Sequence, residues 1–200
     1  MKTMINKFRL YYLAILGGLV LITSCNKDLE QLAPIPTPVY PTGNGVAATL
    51  AANANYSFYS ALITRAGMTT TLNDLTKSFT LFATDNNGMR IFVSAASGGA
   101  IPPTGAPDAT YLGFINTNLP AASAAGIVQY NTVGQKFPAA SIGNSFPNYP
   151  ITTQIILDPT QPFVRMNIFP VRGTFSYVNN VPLIGTDMAA ANGIIHTGFS

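Results

Sequence analysis

The sequence has no tryptophan, one cysteine, one histidine and only 8% charged residues among 200. Each shortage excludes something. A lone cysteine allows no disulfide within the chain, and with a lone histidine it cannot assemble the Cys/His sets that hold zinc. The acidic residues Asp85, Asp158 and Asp187 stand far apart, without the spacing of a calcium loop. No metal and no cofactor is therefore expected. The formal charge of +3 invites a polyanionic partner, but its location argues against one. Lys2, Lys7 and Arg9 fall in the first nine residues, and no acidic residue precedes Asp28. From Cys25 onward seven basic residues (10 − 3) balance seven acidic ones. No Lys/Arg cluster remains to track phosphates, so a nucleic-acid partner is excluded.

What is present is apolar, at 48% of the chain. The basic start leads into the run Leu10–Ile22 and then Thr23-Ser24-Cys25. Thirteen residues are too short for a membrane-spanning helix, which needs roughly 20. A charged start, a short apolar run and small residues are the marks of a secretory signal. Leu21-Ile22-Thr23-Ser24-Cys25 resembles a bacterial lipobox, which implies cleavage before Cys25 and acylation of its sulfur and new amine. The alternative for Cys25 is a buried or reactive free thiol. Several acyl chains anchor far more firmly than one, which binds only reversibly. Asn26-Lys27-Asp28-Leu29-Glu30 resembles the surface-export signals on lipoproteins of the Bacteroidetes. Together these imply a lipid-anchored protein of the outer membrane, facing outward.

Three regions follow: residues 1–24 as signal, 25–45 as lipidated Cys and tether, and 46–200 as one domain. Pro34, Pro36, Pro38 and Pro41 fix φ and remove donors, so the tether is expected to be extended. In the domain, Phe58, Ala61 and Leu62 with a stop at Gly67 predict a helix, and Thr70–Leu75 a shorter one. Ser78–Thr84 predicts a buried strand, and Asp85–Ala96 a helix capped by Thr84 or Asp85 and weakened by Gly88. Ser97–Pro107 is expected to be loop, and Asp108–Asn118 and Ala121–Tyr130 helical. Strands are predicted at Ile151–Asp158, Phe163–Phe169, Gly173–Val178, Pro182–Ile184 and Gly193–Phe199, with a turn at Asn179-Asn180. Their Tyr and Phe side chains are expected to be core. Helices first and strands later argue an α+β fold.

Phe79-Thr80-Leu81-Phe82-Ala83-Thr84-Asp85 resembles the first signature of fasciclin-type (FAS1) domains, and Asn192-Gly193-Ile194-Ile195-His196 the second. Ile127–Asn131, Val178-Asn179-Asn180 and Ser57–Gly67 resemble three further segments in the same order. The resemblance runs from about Asn53 to Ser200. It implies a wedge-shaped β-sandwich flanked by short helices, a non-catalytic module that binds a protein or polysaccharide in cell adhesion or matrix assembly. A structural or accessory subunit of an outer-membrane complex, such as a glycan-uptake system, is the alternative. By resemblance the binding residues are Tyr130, Asn131, Asp187 and Met188. Gly88-Met89 replaces the family's Ala-Phe, which implies a loose helix after the first strand. Family domains also run on past the second signature, so a short or missing last strand, or a fragment of a longer chain, is expected. A short last strand would leave an unpaired sheet edge.

Chemistry finds little footing. His196 lies between apolar neighbours, and no G-x-S-x-G elbow accompanies it, so a hydrogen-bonded structural role is expected rather than a base. Asp85, Asp158 and Asp187 are expected to serve caps and turns. No catalytic residue is assigned.

Overall fold

The computed structural model describes residues 37–144 and 149–198. Cys25 and the signal lie outside these residues. Residues 37–44 are exposed and form neither helix nor strand. The first described helix, α1 (Val46–Ala51), has no capping side chain of its own. Distant asparagines supply the caps: Asn192 Oδ1 accepts from the Val46 amide and Asn73 Oδ1 from the Ala48 amide, each at 2.9 Å. Helix α2 (Ser57–Arg65) buries Phe58, Tyr59, Leu62 and Ile63 along one stripe. Asn86 Oδ1 accepts from the Phe58 amide at 3.1 Å and so caps it from another element. Gly67, at φ +68°, ends the turn in the left-handed conformation.

Helix α3 (Thr69–Leu72) is shorter than the predicted Thr70–Leu75. Asp74 accepts from both the amide and the hydroxyl of Thr76, which diverts the backbone into a turn. Helix α4 (Asn86–Ala96) is well formed rather than loose. Asp85 Oδ1 caps the Gly88 amide at 2.9 Å, and Gly88, Met89 and Val93 are buried. After the loop come α5 (Asp108–Gly113), continued by a wider π turn over Phe114–Asn118, and α6 (Ala121–Tyr130).

The strands are β1 (Phe79–Thr84), β2 (Thr132–Val133), β3 (Ile151–Ile156), β4 (Arg165–Ile168), β5 (Pro170–Arg172), β6 (Ser176–Val178), β7 (Val181–Ala190) and β8 (Gly193–Gly198). Their order is β4-β3-β2-β1-β8-β7-β6-β5, and among the described residues only β1 and β8 pair in parallel. Phe169 alone separates β4 from β5, so the two edge strands are consecutive in the chain and the sheet curls until it nearly closes. Strand β8 pairs along its length with β1 on one side and β7 on the other. It is central, so the expectation of an unpaired edge at the last strand is overturned.

Strand β1 is buried on both faces. Leu81 and Ala83 join Ile195 and the helices in one core, whereas Phe82 joins Val133, Ile142, Ile151, Ile168, Val178 and Leu183 in a second core inside the curled sheet. The structure also corrects strand limits. Strands β2 and β5 were not foreseen, Gly173–Val178 contracts to Ser176–Val178, and Pro182–Ile184 extends to Val181–Ala190. Register shifts on either side of Gly185 break the alternation in β7, which hid its length. The strand aromatics divide. Phe79 and Phe82 are core, but Phe163 is 77% exposed and Phe169 and Phe175 are also on the surface.

Candidate binding surface

Tyr130 and Asn131 close helix α6 and point to different partners. The Tyr130 hydroxyl accepts from Asn179 Nδ2 at 2.8 Å. Asn179 and Asn180 are the two central residues of the β6–β7 turn, at φ 51° and 67°. A two-residue turn with both φ positive favours asparagine, as the dipeptide suggested. Asn179 does more than turn the chain. Its Oδ1 accepts from the Phe169 amide at 2.9 Å, and its own amide donates to the Phe169 carbonyl at 3.1 Å. One side chain thus ties the β6–β7 turn, the β4–β5 link and helix α6. Beneath this tie lies a cavity of about 190 Å³ walled by Phe82, Ile168, Val178 and Leu183, with Tyr130 and Asn179 beside it.

Asn131 turns toward the helical core, where its Nδ2 donates to the Tyr59 hydroxyl at 3.3 Å. Its carbonyl accepts from the Phe82 amide at 2.9 Å, which fixes α6 to β1. Burial pushes the Tyr59 phenol far above its ordinary value, and the Asn131 hydrogen bond opposes that only in part. The unfolded chain therefore loses this proton from about pH 10 upward while the folded chain keeps it, so stability is intact below that pH and falls above it. Replacing Tyr59 with phenylalanine is expected to flatten this alkaline limb relative to the parent protein. Urea midpoints at pH 8, 10 and 11 measure it; parallel curves for both proteins would refute it.

Asp187 and Met188 belong to a bulge in β7. Between the pairs Gly185–Thr197 and Met188–Ile195, both Thr186 and Asp187 stand opposite His196. Asp187 takes φ 60°, and its amide donates to His196 Nδ1 at 3.2 Å. Its carboxylate accepts from the Ala139 amide at 2.9 Å. Met188 packs against the helical core. The four residues suggested by resemblance therefore form no single cluster: Tyr130 and Asn131 line the cavity, Asp187 binds the 137–139 loop, and Met188 faces the helices. His196 is fully buried and stacks on Phe82, with ring centres 5.3 Å apart. Since Nδ1 accepts, Nε2 carries the proton and donates to the Phe137 carbonyl at 2.9 Å. Both nitrogens are committed to backbone, the structural role expected of it. Asp85 and Asp158 likewise serve a cap and a turn.

The surface signal that sequence reasoning missed is the β3–β4 hairpin. Ile156, Leu157, Phe163 and Met166 are all exposed on it. At its tip Thr160 donates to Asp158 through hydroxyl and amide, which holds that carboxyl below the usual carboxylate range. Exposed large apolar residues on one hairpin are candidates for contact with a partner.

No family model matches the chain, and no curated protein matches it in sequence. Among solved structures it is similar to a FAS1 domain pair from the insect cell adhesion molecule fasciclin I, with a TM-score of 0.58 and 13% identity. The match covers 78% of this chain and 49% of that one, so the chain spans about half the length of the pair. This likeness establishes the fold as FAS1-like.

Proposed function

We propose that the chain is a lipid-anchored surface lipoprotein, held in the outer membrane through acylated Cys25, whose FAS1-like module binds a protein or polysaccharide partner in adhesion or matrix assembly. The observation that carries this reading is the fold shared with a domain pair of a cell adhesion molecule. Two further features support it. The only histidine is consumed by backbone hydrogen bonds, leaving no free imidazole for acid–base chemistry. The β3–β4 hairpin offers exposed Leu157 and Phe163 for contact.

The test is made on whole cells. The parent protein is expected to be digested by protease added outside, and intact-mass measurement to find a chain starting at Cys25 with added acyl mass. Cys25→Ser is expected to abolish membrane retention and cell aggregation. Leu157→Ser with Phe163→Ser is expected to weaken aggregation several-fold while leaving the unfolding free energy within about 0.5 kcal/mol of the parent, as for exposed sites. Full protection from external protease, or an unmodified chain beginning at Met1, would sink the proposal.

A further inference from the structure

The cavity beneath Asn179 has the properties of a small-molecule site. Its walls come from separate strands, Phe82 of β1, Ile168 of β4, Val178 of β6 and Leu183 of β7. Protein interiors pack closely, so an opening of about 190 Å³ that reaches from the surface into the inner core needs a cause to persist. The cause is the frame around it. Asn179 bonds both backbone groups of Phe169 and the Tyr130 hydroxyl, and the Asn131 carbonyl holds the Phe82 amide. These bonds fix the walls apart, so the strands cannot settle inward to fill the space.

The lining selects the occupant. A cavity of roughly 150 Å³ lined by Leu, Ile and Phe admits benzene, so this one has room for a single ring with one or two further atoms. Among the described residues, no Lys, Arg, Asp or Glu lines it. A charged ligand would lose its water without gaining a partner. The polar side chains of the lining are Thr84 at the end of β1, Tyr130 and Asn131 at the end of α6, and Asn179 in the β6–β7 turn. Both functions of the Asn179 amide are used, but the Tyr130 hydroxyl only accepts from Asn179, which leaves its proton free to donate. We infer that this cavity binds a small uncharged molecule made of one apolar ring and one hydrogen-bond acceptor, with the ring against Phe82, Val178 and Leu183 and the acceptor on the Tyr130 hydroxyl. The site is independent of the adhesion reading, since it needs neither the lipid anchor nor the β3–β4 hairpin.

The probe is benzyl alcohol, added to the methyl-labelled full chain in phosphatidylcholine nanodiscs and followed by NMR. Saturable shifts are expected for the methyls of Ile168, Val178, Val181 and Leu183, with those of Leu62 and Val93 in the helical core unmoved. Benzoate, of the same size but charged, is expected to bind at least tenfold more weakly. Tyr130→Phe is expected to weaken benzyl alcohol several-fold and leave toluene unchanged. Val181 is partly exposed at the mouth, so Val181→Phe blocks entry without disturbing the core; Leu183→Phe fills the floor as a second variant. In either, the Leu62 and Val93 signals report folding. Loss of the probe shifts in a folded variant supports the site. Shifts spread equally over both cores, equal binding of benzoate, or undiminished binding in both folded variants would overturn it, as would no shift at all.

Discussion

Replacing Asn192 with alanine is expected to lower stability by about 2–4 kcal/mol, because it strands the Val46 amide and the Leu72 carbonyl and removes one of the two bonds to the Asp74 carbonyl. Asn192 is 1% exposed and lies just before β8. Its Oδ1 accepts from the Val46 amide at 2.9 Å, and its Nδ2 donates to the carbonyls of Leu72 and Asp74 at 3.0 and 2.9 Å. One side chain thereby caps α1, receives the end of α3 and fixes both to the central strand. Alanine leaves the Val46 amide and the Leu72 carbonyl without these partners, whereas the Asp74 carbonyl keeps the Lys77 amide. For a domain of this size the loss is a fall of about 10 °C in Tm. Asn192→Asp separates the parts: it keeps the acceptor for Val46 but turns an oxygen toward two carbonyl oxygens, so it is expected to be as damaging as alanine at neutral pH. Thermal unfolding followed by circular dichroism measures both, and amide exchange at Val46 should quicken in the alanine variant. A change below about 1 kcal/mol would show that water replaces the lost bonds.

The residue beside it explains why this short string was readable at all. A Cβ on Gly193 would lie 2.5 Å from the Phe79 carbonyl oxygen and 2.6 Å from Val46 Cγ2, so only glycine lets α1 and β1 close on β8. Asn192, Gly193 and His196 each have a separate local reason to be what they are, which is why the resemblance pointed to the right fold. Helices α2 and α4 were legible for a related reason. Their apolar stripes and the Asp85 cap are contained within a few residues of sequence. Helix α1 was not, because the asparagines whose Oδ1 atoms cap it lie 25 and 146 residues away. Strand β7 was hidden by bulges whose meaning depends on His196 across the sheet. The same limit applies to the site. Asn179 reads as a turn residue, and nothing nearby in sequence announces that it also joins Phe169 and Tyr130. The cavity follows from that tie and was illegible with it. The exposed hairpin was misread because Leu157, Phe163 and Met166 have the composition of a buried strand, and composition does not say which face of a curled sheet remains open.

His196→Ala is expected to cost about 3–5 kcal/mol through two effects that a second variant can divide. The imidazole fills space against Phe82, and its nitrogens satisfy the Asp187 amide and the Phe137 carbonyl. His196→Phe preserves the ring and the stack but strands both backbone groups, and is expected to cost about 2–3 kcal/mol. The difference between the variants then reports the packing, and the remainder the hydrogen bonds. The bonds also have a local consequence. Phe137 and Ala139 belong to the segment that follows β2; Phe137 packs against the inner core, and their described hydrogen bonds to other elements are with the His196 ring, the Asp187 carboxylate and Thr80, whose hydroxyl oxygen accepts from the Phe137 amide at 2.7 Å. Breaking the imidazole bond removes one of these and leaves the bulged Asp187 amide unsupported at its positive φ. Limited proteolysis near residues 137–141 is therefore expected to accelerate in both variants by a similar factor, although their global stabilities differ. A segment as resistant as in the parent protein would mean that Thr80 and Asp187 suffice to hold it. Equal stability of the phenylalanine variant and the parent would mean that His196 serves the fold by its shape alone.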